Sequence, residues 1–188
     1  MRLPYRPLRA YGLDISPFAT QRLSAMNWGS QRSFSAVGIG DFEQGAFEEC
    51  FDIVSCSHVL EHVPDDEATA NQLMESLRPG GFLLLNVPIN EVFDDPNHVR
   101  AYDRRKLSSL LENSNLEILR EEESDRLSAF LLHHEMNGAC GRIKRSACRL
   151  LRAVSAVLPL SVIENMERIL PATYKSQQLI LVARKPLD

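Results

Sequence analysis

The stretch Phe51-Asp52-Ile53-Val54-Ser55-Cys56-Ser57-His58-Val59-Leu60-Glu61-His62-Val63-Pro64-Asp65 decides the fold. Phe51 to Cys56 predicts a buried strand. The strand ends abruptly in polar, titratable side chains. Asp65, Asp66 and Glu67 then place negative charge where a helix N-terminus favours it. Open α/β sheets bind their ligands at the carboxyl ends of parallel strands, so the Ser57 to His62 segment is the first place to look for a site. Ala70, Leu73 and Leu77 share one face of the following helix. Pro79-Gly80-Gly81 stops that helix, with glycine supplying the freedom a reversal requires. Phe82 to Val87 is apolar without alternation, the pattern of a strand covered on both faces.

Upstream, Met1 to Ala10 reads as an irregular lead-in, with Pro4 and Pro7. Tyr11 to Pro17 reads as a strand end and a turn, Pro17 to about Met26 as a helix, and Ser33 to Val37 as a short strand. Downstream, Asp103 can cap a helix whose apolar positions are Leu107, Leu110 and Leu111. Glu117-Ile118-Leu119 and Gln178 to Arg184 are further strands. Strand and helix in alternation, then two final strands, predict an α/β fold with a largely parallel sheet. The chain is expected to be a single domain over 1–188 with a helical insertion at about 121–175. Within it, Gly138 to Leu158 carries Arg142, Lys144, Arg145, Arg149 and Arg152 on one side and Leu150, Leu151, Val154, Val157 and Leu158 on the other. A solvated helix face, a lid over an acceptor site and a membrane-surface or partner-binding helix all suit that pattern.

A length of 188 residues suits one substantial core. A net charge of −4 gives no general attraction to nucleic acid. The longest uncharged stretch, Ala153 to Ile163, is far short of the roughly 20 residues a bilayer span needs, and no apolar leader is visible at the N-terminus. Cys50, Cys56, Cys140 and Cys148 form no Cys-x-x-Cys pair, which predicts buried or inert thiols in a reducing cytoplasm. Gly38-Ile39-Gly40-Asp41-Phe42-Glu43-Gln44-Gly45 is glycine-rich, but Glu43 stands where a dinucleotide loop needs glycine. Phe51 also follows too soon for a crossover helix, so the segment reads as a loop after a strand.

The segments Phe51 to Asp65 and Leu77 to Pro88 together resemble the class I, Rossmann-like, S-adenosylmethionine-dependent methyltransferases. The resemblance implies helices on both faces of a mostly parallel sheet with an antiparallel final strand. It implies a ribose-binding role for Asp14 at the end of the family's second strand, with Ile15 beside it. Asp41 and Phe42 then match the acceptor and the apolar wall for adenine, and Ser57 and His58 face the cofactor. An ordinary turn aspartate is the other reading of Asp14. Asp52 belongs to a Phe-Asp-x-Val pattern and reads as structural. The acceptor side of the site falls to His58, His62, His98 and Tyr102. Any of the three histidines has a suitable pKa for a general base. Equally, they could cap helices or form a polar wall, and His98 and Tyr102 could pack their loop. His58 and His62 have Glu61 directly before the second histidine and no third ligand nearby in sequence, so no metal is expected.

No acidic-x-Gly-x-Gly turn, which the family carries after its first strand, stands before Asp14. Only thirteen residues precede Asp14, against roughly thirty or more for strand, turn and crossover helix. The expectation is an N-terminally truncated domain lacking its first strand and first helix, with the strands of Asp14 and Phe51 left unpaired at their facing edges. The resemblance implies methyl transfer from S-adenosylmethionine to a small-molecule, sugar or lipid acceptor, by a domain inactive as written for want of the glycine loop. A non-catalytic interaction module on the same fold is the alternative, and a Rossmann-type dehydrogenase a weaker one.

Overall fold

The computed structural model describes residues 8–14, 16–25, 32–37, 47–48, 50–91, 95–136, 142–155, 157–171 and 173–187. The first strand, β1 (Leu8–Leu13), leads through a turn into α1 (Pro17–Ala25) and then β2 (Arg32–Val37). β1 and β2 pair in parallel, from Leu8 opposite Arg32 to Leu13 opposite Val37, and form a two-stranded sheet on which α1 packs. β1 starts at Leu8, inside the stretch read as irregular.

The second sheet is built from β3 (Phe51–Ser57), β4 (Leu77–Pro88), β5 (Glu117–Ser124) and β6 (Gln178–Arg184), in the order β3-β4-β6-β5. β3 and β4 are parallel, whereas β6 runs antiparallel to both of its neighbours. The architecture is therefore α/β with a mixed sheet and the expected antiparallel final strand. β1 and β3 belong to different sheets. The rings of Tyr11, Phe47 and Phe51 connect them, with centroids 5.5 to 5.7 Å apart.

Two helices cover one face of the larger sheet. Asp65 caps α2 (Asp66–Ser76) by accepting from the Ala68 N–H at 2.9 Å, and Asp103 caps α3 (Arg104–Asn113) by accepting from the Lys106 N–H at 2.8 Å. Their buried positions, Ala70, Leu73, Leu107, Leu110 and Leu111, meet Leu83, Leu85, Val87, Leu179, Leu181 and Ala183 in one core. Each Leu buried there contributes roughly 1.5–3 kcal/mol relative to exposure.

Two expectations change here. Pro79-Gly80-Gly81 does not end the helix: Leu77 is already its C-cap and also opens β4, opposite Phe51, and the residues up to Gly81 bulge out before Phe82 pairs with Ile53. Gly80 takes a φ of +75° at that bulge, a conformation that excludes most side chains. Nor is β4 covered on both faces: Phe82 and Leu84 are each 39% exposed, and Ile53 on the neighbouring strand is 61% exposed. Lack of alternation in sequence signals an apolar strand, not which layers cover it.

The insertion begins later than expected, because β5 runs on to Ser124. It consists of α4 (Arg126–Met136), α5 (Arg142–Ser155) and α6 (Leu160–Ile169). Arg126 ties it together, donating to the carbonyls of Tyr174, Leu170 and Pro171 at 2.9–3.1 Å. Of the basic residues named on α5, only Arg149 has a described side chain. Leu150, Leu151 and Val154 on the apolar side are exposed.

Candidate functional site

β3 delivers its last residues to a tight polar turn. The His58 N–H donates to the Asn86 carbonyl on β4 at 2.9 Å, and His58 itself takes a φ of 52°, uncommon for a residue with a side chain. Beside it, Asn86 Nδ2 donates to Gln178 Oε1 at 3.1 Å and to Ser57 Oγ at 3.4 Å, while Asn86 Oδ1 is buried without a partner. Ser57, Asn86 and Gln178 thus form a polar rim on three adjacent strands. An orphaned amide oxygen there suits a ligand that brings a donor.

The turn continues through Leu60 to Asp66 and is braced from a distance. Arg100 Nη1 donates to the Leu60 carbonyl at 2.9 Å and also to that of Val63. Its Nη2 donates to the Pro64 carbonyl at 2.6 Å, and its Nε pairs with Asp66 at 3.3 Å. Tyr102 is buried, and its hydroxyl donates to Asp66 Oδ2 at 2.7 Å. Burial and the Asp66 carboxylate push the Tyr102 phenol well above its ordinary pKa. Tyr102 therefore holds the turn in place, matching the reading in which it packs its loop. Arg100, which the sequence did not single out, is the central brace. Asp52 pairs with Arg78 and is structural.

Inside the turn, Glu61 is 1% exposed, and neither carboxylate oxygen has a hydrogen-bond partner. His58 Nδ1 approaches it at 3.2 Å and His62 Nε2 at 3.9 Å. His62 Nδ1 donates to the Asn97 carbonyl at 3.1 Å, and His98 Nδ1 donates to Glu91 at 2.9–3.0 Å. The two rings meet edge to face, 4.7 Å between centroids. Burial opposes a charge on His98, but the Glu91 hydrogen bond and charge, with Asp95 and Glu61, outweigh it and raise its pKa. Asp95 is held below the ordinary carboxylate range by the Asn97 N–H and by the two histidines. Burial, aided by the Glu61 charge, pushes the Cys56 thiol up to about 12.

The fold thus brings His58, Glu61, His62 and His98 together, although His98 stands 36 positions after His62 in the sequence. Asp14 stands exposed just after the end of β1, where its Oδ1 accepts from the Ser16 N–H at 2.7 Å. That contact is an Asx turn, and it leaves the second carboxylate oxygen uncommitted by it. Ile15, Asp41, Phe42 and the whole Gly38 to Gly45 segment lie outside the described residues. Sequence reasoning missed Glu61 as a buried carboxylate, as well as Glu91 and Asn97. A charged residue directly after Val59 and Leu60, with Val63 two positions on, was the available signal for the first.

A family model described as "Methyltransferase domain" matches residues 3–121, from before β1 into β5. Among curated proteins, the ubiquinone biosynthesis O-methyltransferase of Shewanella sp. (strain ANA-3) is 28% identical over 78 residues, 40% of this chain and 33% of that one. Its counterpart in Histophilus somni (strain 2336) is 30% identical over 87 residues, 44% of this chain and 36% of that one. The chain spans about a third of the length of these curated relatives. A solved SAM-dependent methyltransferase from Archaeoglobus fulgidus superposes with a TM-score of 0.56 at 16% identity, covering 97% of this chain and 89% of that one. At such identity the likeness concerns the fold. S-adenosylmethionine is the cofactor that accompanies this fold and this family. The match takes in Asp14, the β3 turn and the β4 strand alike, and on that extent the chain belongs to the methyltransferase-domain family, within the class I S-adenosylmethionine-dependent group.

Proposed function

We propose that the protein transfers the methyl group of S-adenosylmethionine to a hydroxyl oxygen of a small-molecule or lipid acceptor. The single observation behind this reading is the family match over 3–121, which covers both Asp14 and the polar turn after β3. The two O-methyltransferase relatives support oxygen as the accepting atom.

The residues suit the cofactor in kind. Asp14, exposed at a strand end with an uncommitted oxygen, would receive the two ribose hydroxyls. Ser57 and His58, beside the unpartnered Asn86 oxygen, would border its polar portion. Ile15, Asp41 and Phe42 complete the proposed set. His58, His62 and His98 are the candidates to take the acceptor's proton. When bound, the cofactor supplies an electrophilic methyl. Alignment of the acceptor oxygen with it accounts for most of the acceleration, since well-oriented intramolecular reactions reach effective molarities on the order of 10⁵ M or more.

Calorimetric titration with S-adenosylhomocysteine tests the reading. The expected result is saturable binding that Asp14→Ala weakens by roughly tenfold or more, the loss of charge-assisted hydrogen bonds. No binding, or binding indifferent to Asp14, overturns it.

A further inference from the structure

We propose that Glu61, His62 and His98 form a binding site for a divalent first-row transition ion, for which zinc is the probe. One ligand atom from each of the three lies within 4.8 Å of the others. Ligands tetrahedrally disposed on zinc stand about 3.4 Å apart, given bonds of about 2.0–2.2 Å. Side-chain adjustments on the order of an ångström therefore close the set.

Proximity alone would carry little, and the environment of each ligand carries more. Glu61 is almost wholly buried, and its carboxylate makes no hydrogen bond; the His58 and His62 rings approach Oε1 alone, at 3.2 and 3.9 Å. A desolvated carboxylate so sparsely met is costly unless a cation completes it. The two imidazoles are prepared in the same way as each other. His62 gives its Nδ1 proton to a backbone carbonyl and His98 gives its own to a carboxylate. In the neutral form of each ring that fixes the tautomer and leaves the lone pair on Nε2, the arrangement that carbonyl and carboxylate partners impose on metal-bound histidine; a metal on His98 Nε2 would also face Asp95, whose Oδ2 stands 3.8 Å from that nitrogen. His62 Nε2 is already the nitrogen that faces Glu61, at 3.9 Å.

The scaffold is braced as well. Arg100 fixes the carbonyls on both sides of Glu61 and His62, and the Val99 N–H donates to the Glu61 carbonyl at 2.8 Å. The loop that carries His98 is thereby tied to the turn that carries its partners. Two imidazoles and one carboxylate favour zinc, iron or manganese over magnesium or calcium, which prefer all-oxygen cages. Three protein ligands leave coordination positions open. Resting on the methyl-transfer reading, those positions would take the acceptor's hydroxyl oxygen. Metal binding itself does not depend on that reading.

The test uses metal-free protein. Cobalt is titrated and followed by visible absorption, and zinc is then titrated by calorimetry. One equivalent bound, with a visible spectrum lacking thiolate charge-transfer bands, is the expected result. His98→Gln and Glu61→Gln should each weaken zinc binding by roughly tenfold or more, since loss of an outer-sphere partner alone costs that much. Should Glu61→Gln fail to fold, the partly exposed loop variant His98→Gln decides alone. No stoichiometric binding, unchanged affinity in His98→Gln, or a thiolate spectrum overturns the site. A parallel titration with S-adenosylhomocysteine separates the two readings. Metal lost with nucleoside binding kept refutes this site alone, and the reverse refutes methyl transfer alone.

Discussion

Cys56 shows how little of a residue's chemistry its type decides. The thiol is the next-to-last residue of β3, five positions before Glu61, and burial with that neighbouring charge raises its pKa to about 12. The folded protein therefore keeps it protonated at pH values where the unfolded chain releases the proton. A raised folded pKa means that the stabilising effect is complete below about pH 9 and fades as pH climbs toward 12. Denaturant midpoints measured across that interval should fall with pH, and Cys56→Ala should flatten the slope. Iodoacetamide labelling read by mass spectrometry should modify exposed Cys50 at pH 8 and spare Cys56. The sequence had these thiols as buried or inert, which holds for Cys56, whereas Cys50 is exposed. Which thiol would be buried was not legible, because burial depends on α2 and β4 closing over β3. Asp14 was legible as a residue because a strand-end aspartate has a local pattern. The His98 partnership was not, since it is made by two loops far apart in the chain.

At the scale of elements, capping and turns were the readable part. Asp103 was expected to start a helix and does so, with its carboxylate on the Lys106 N–H. Asp103→Ala should cost about 1 kcal/mol in chemical denaturation. The Pro79-Gly80-Gly81 turn was also legible, but not its consequence, since the chain leaves the helix at Ser76 and enters β4 before the glycines rather than after them. Pairing of Leu77 with Phe51 decides that, and no local propensity encodes a pairing across 26 positions. Gly80→Ala should destabilise by about 1–2 kcal/mol, the cost of a Cβ in the left-handed region, because the contact at 2.9 Å with the exposed Leu187 can relax. Arg100 acts between elements. Its removal leaves the carbonyls of Leu60, Val63 and Pro64 and the Asp66 carboxylate short of a donor. Arg100→Ala should lower stability by about 2–3 kcal/mol, measured by urea titration.

Among the described residues the strands fall into two sheets, with the strand before Asp14 in one and the strand of Phe51 in the other. Composition and alternation led to an α/β reading, and the facing edges of the strands near Asp14 and Phe51 were expected to lack partners. The described residues form one four-stranded sheet with a core and one two-stranded sheet without a ladder to it. Two strands and a helix bury too little apolar surface for much stability of their own. The three-ring contact of Tyr11, Phe47 and Phe51 is one described contact between them and the larger body. Local opening should therefore be cheap in β1 and β2 and approach global unfolding in β4 and β6, whose Leu83, Leu85, Leu179 and Leu181 fill the core. Hydrogen exchange followed by mass spectrometry should show the amides of Leu8–Leu13 and Arg32–Val37 exchanging well before those of Phe82–Val87 and Leu179–Ala183. Tyr11→Ala should widen that gap by speeding the first group alone. On the proposed binding mode, with Asp14 after β1 and Ser57 on β3 both holding the nucleoside, saturating S-adenosylhomocysteine should narrow it, because opening of either sheet would release the ligand. Equal protection in both sheets of the free protein would mean that the three rings couple them as firmly as a hydrogen-bonded ladder would.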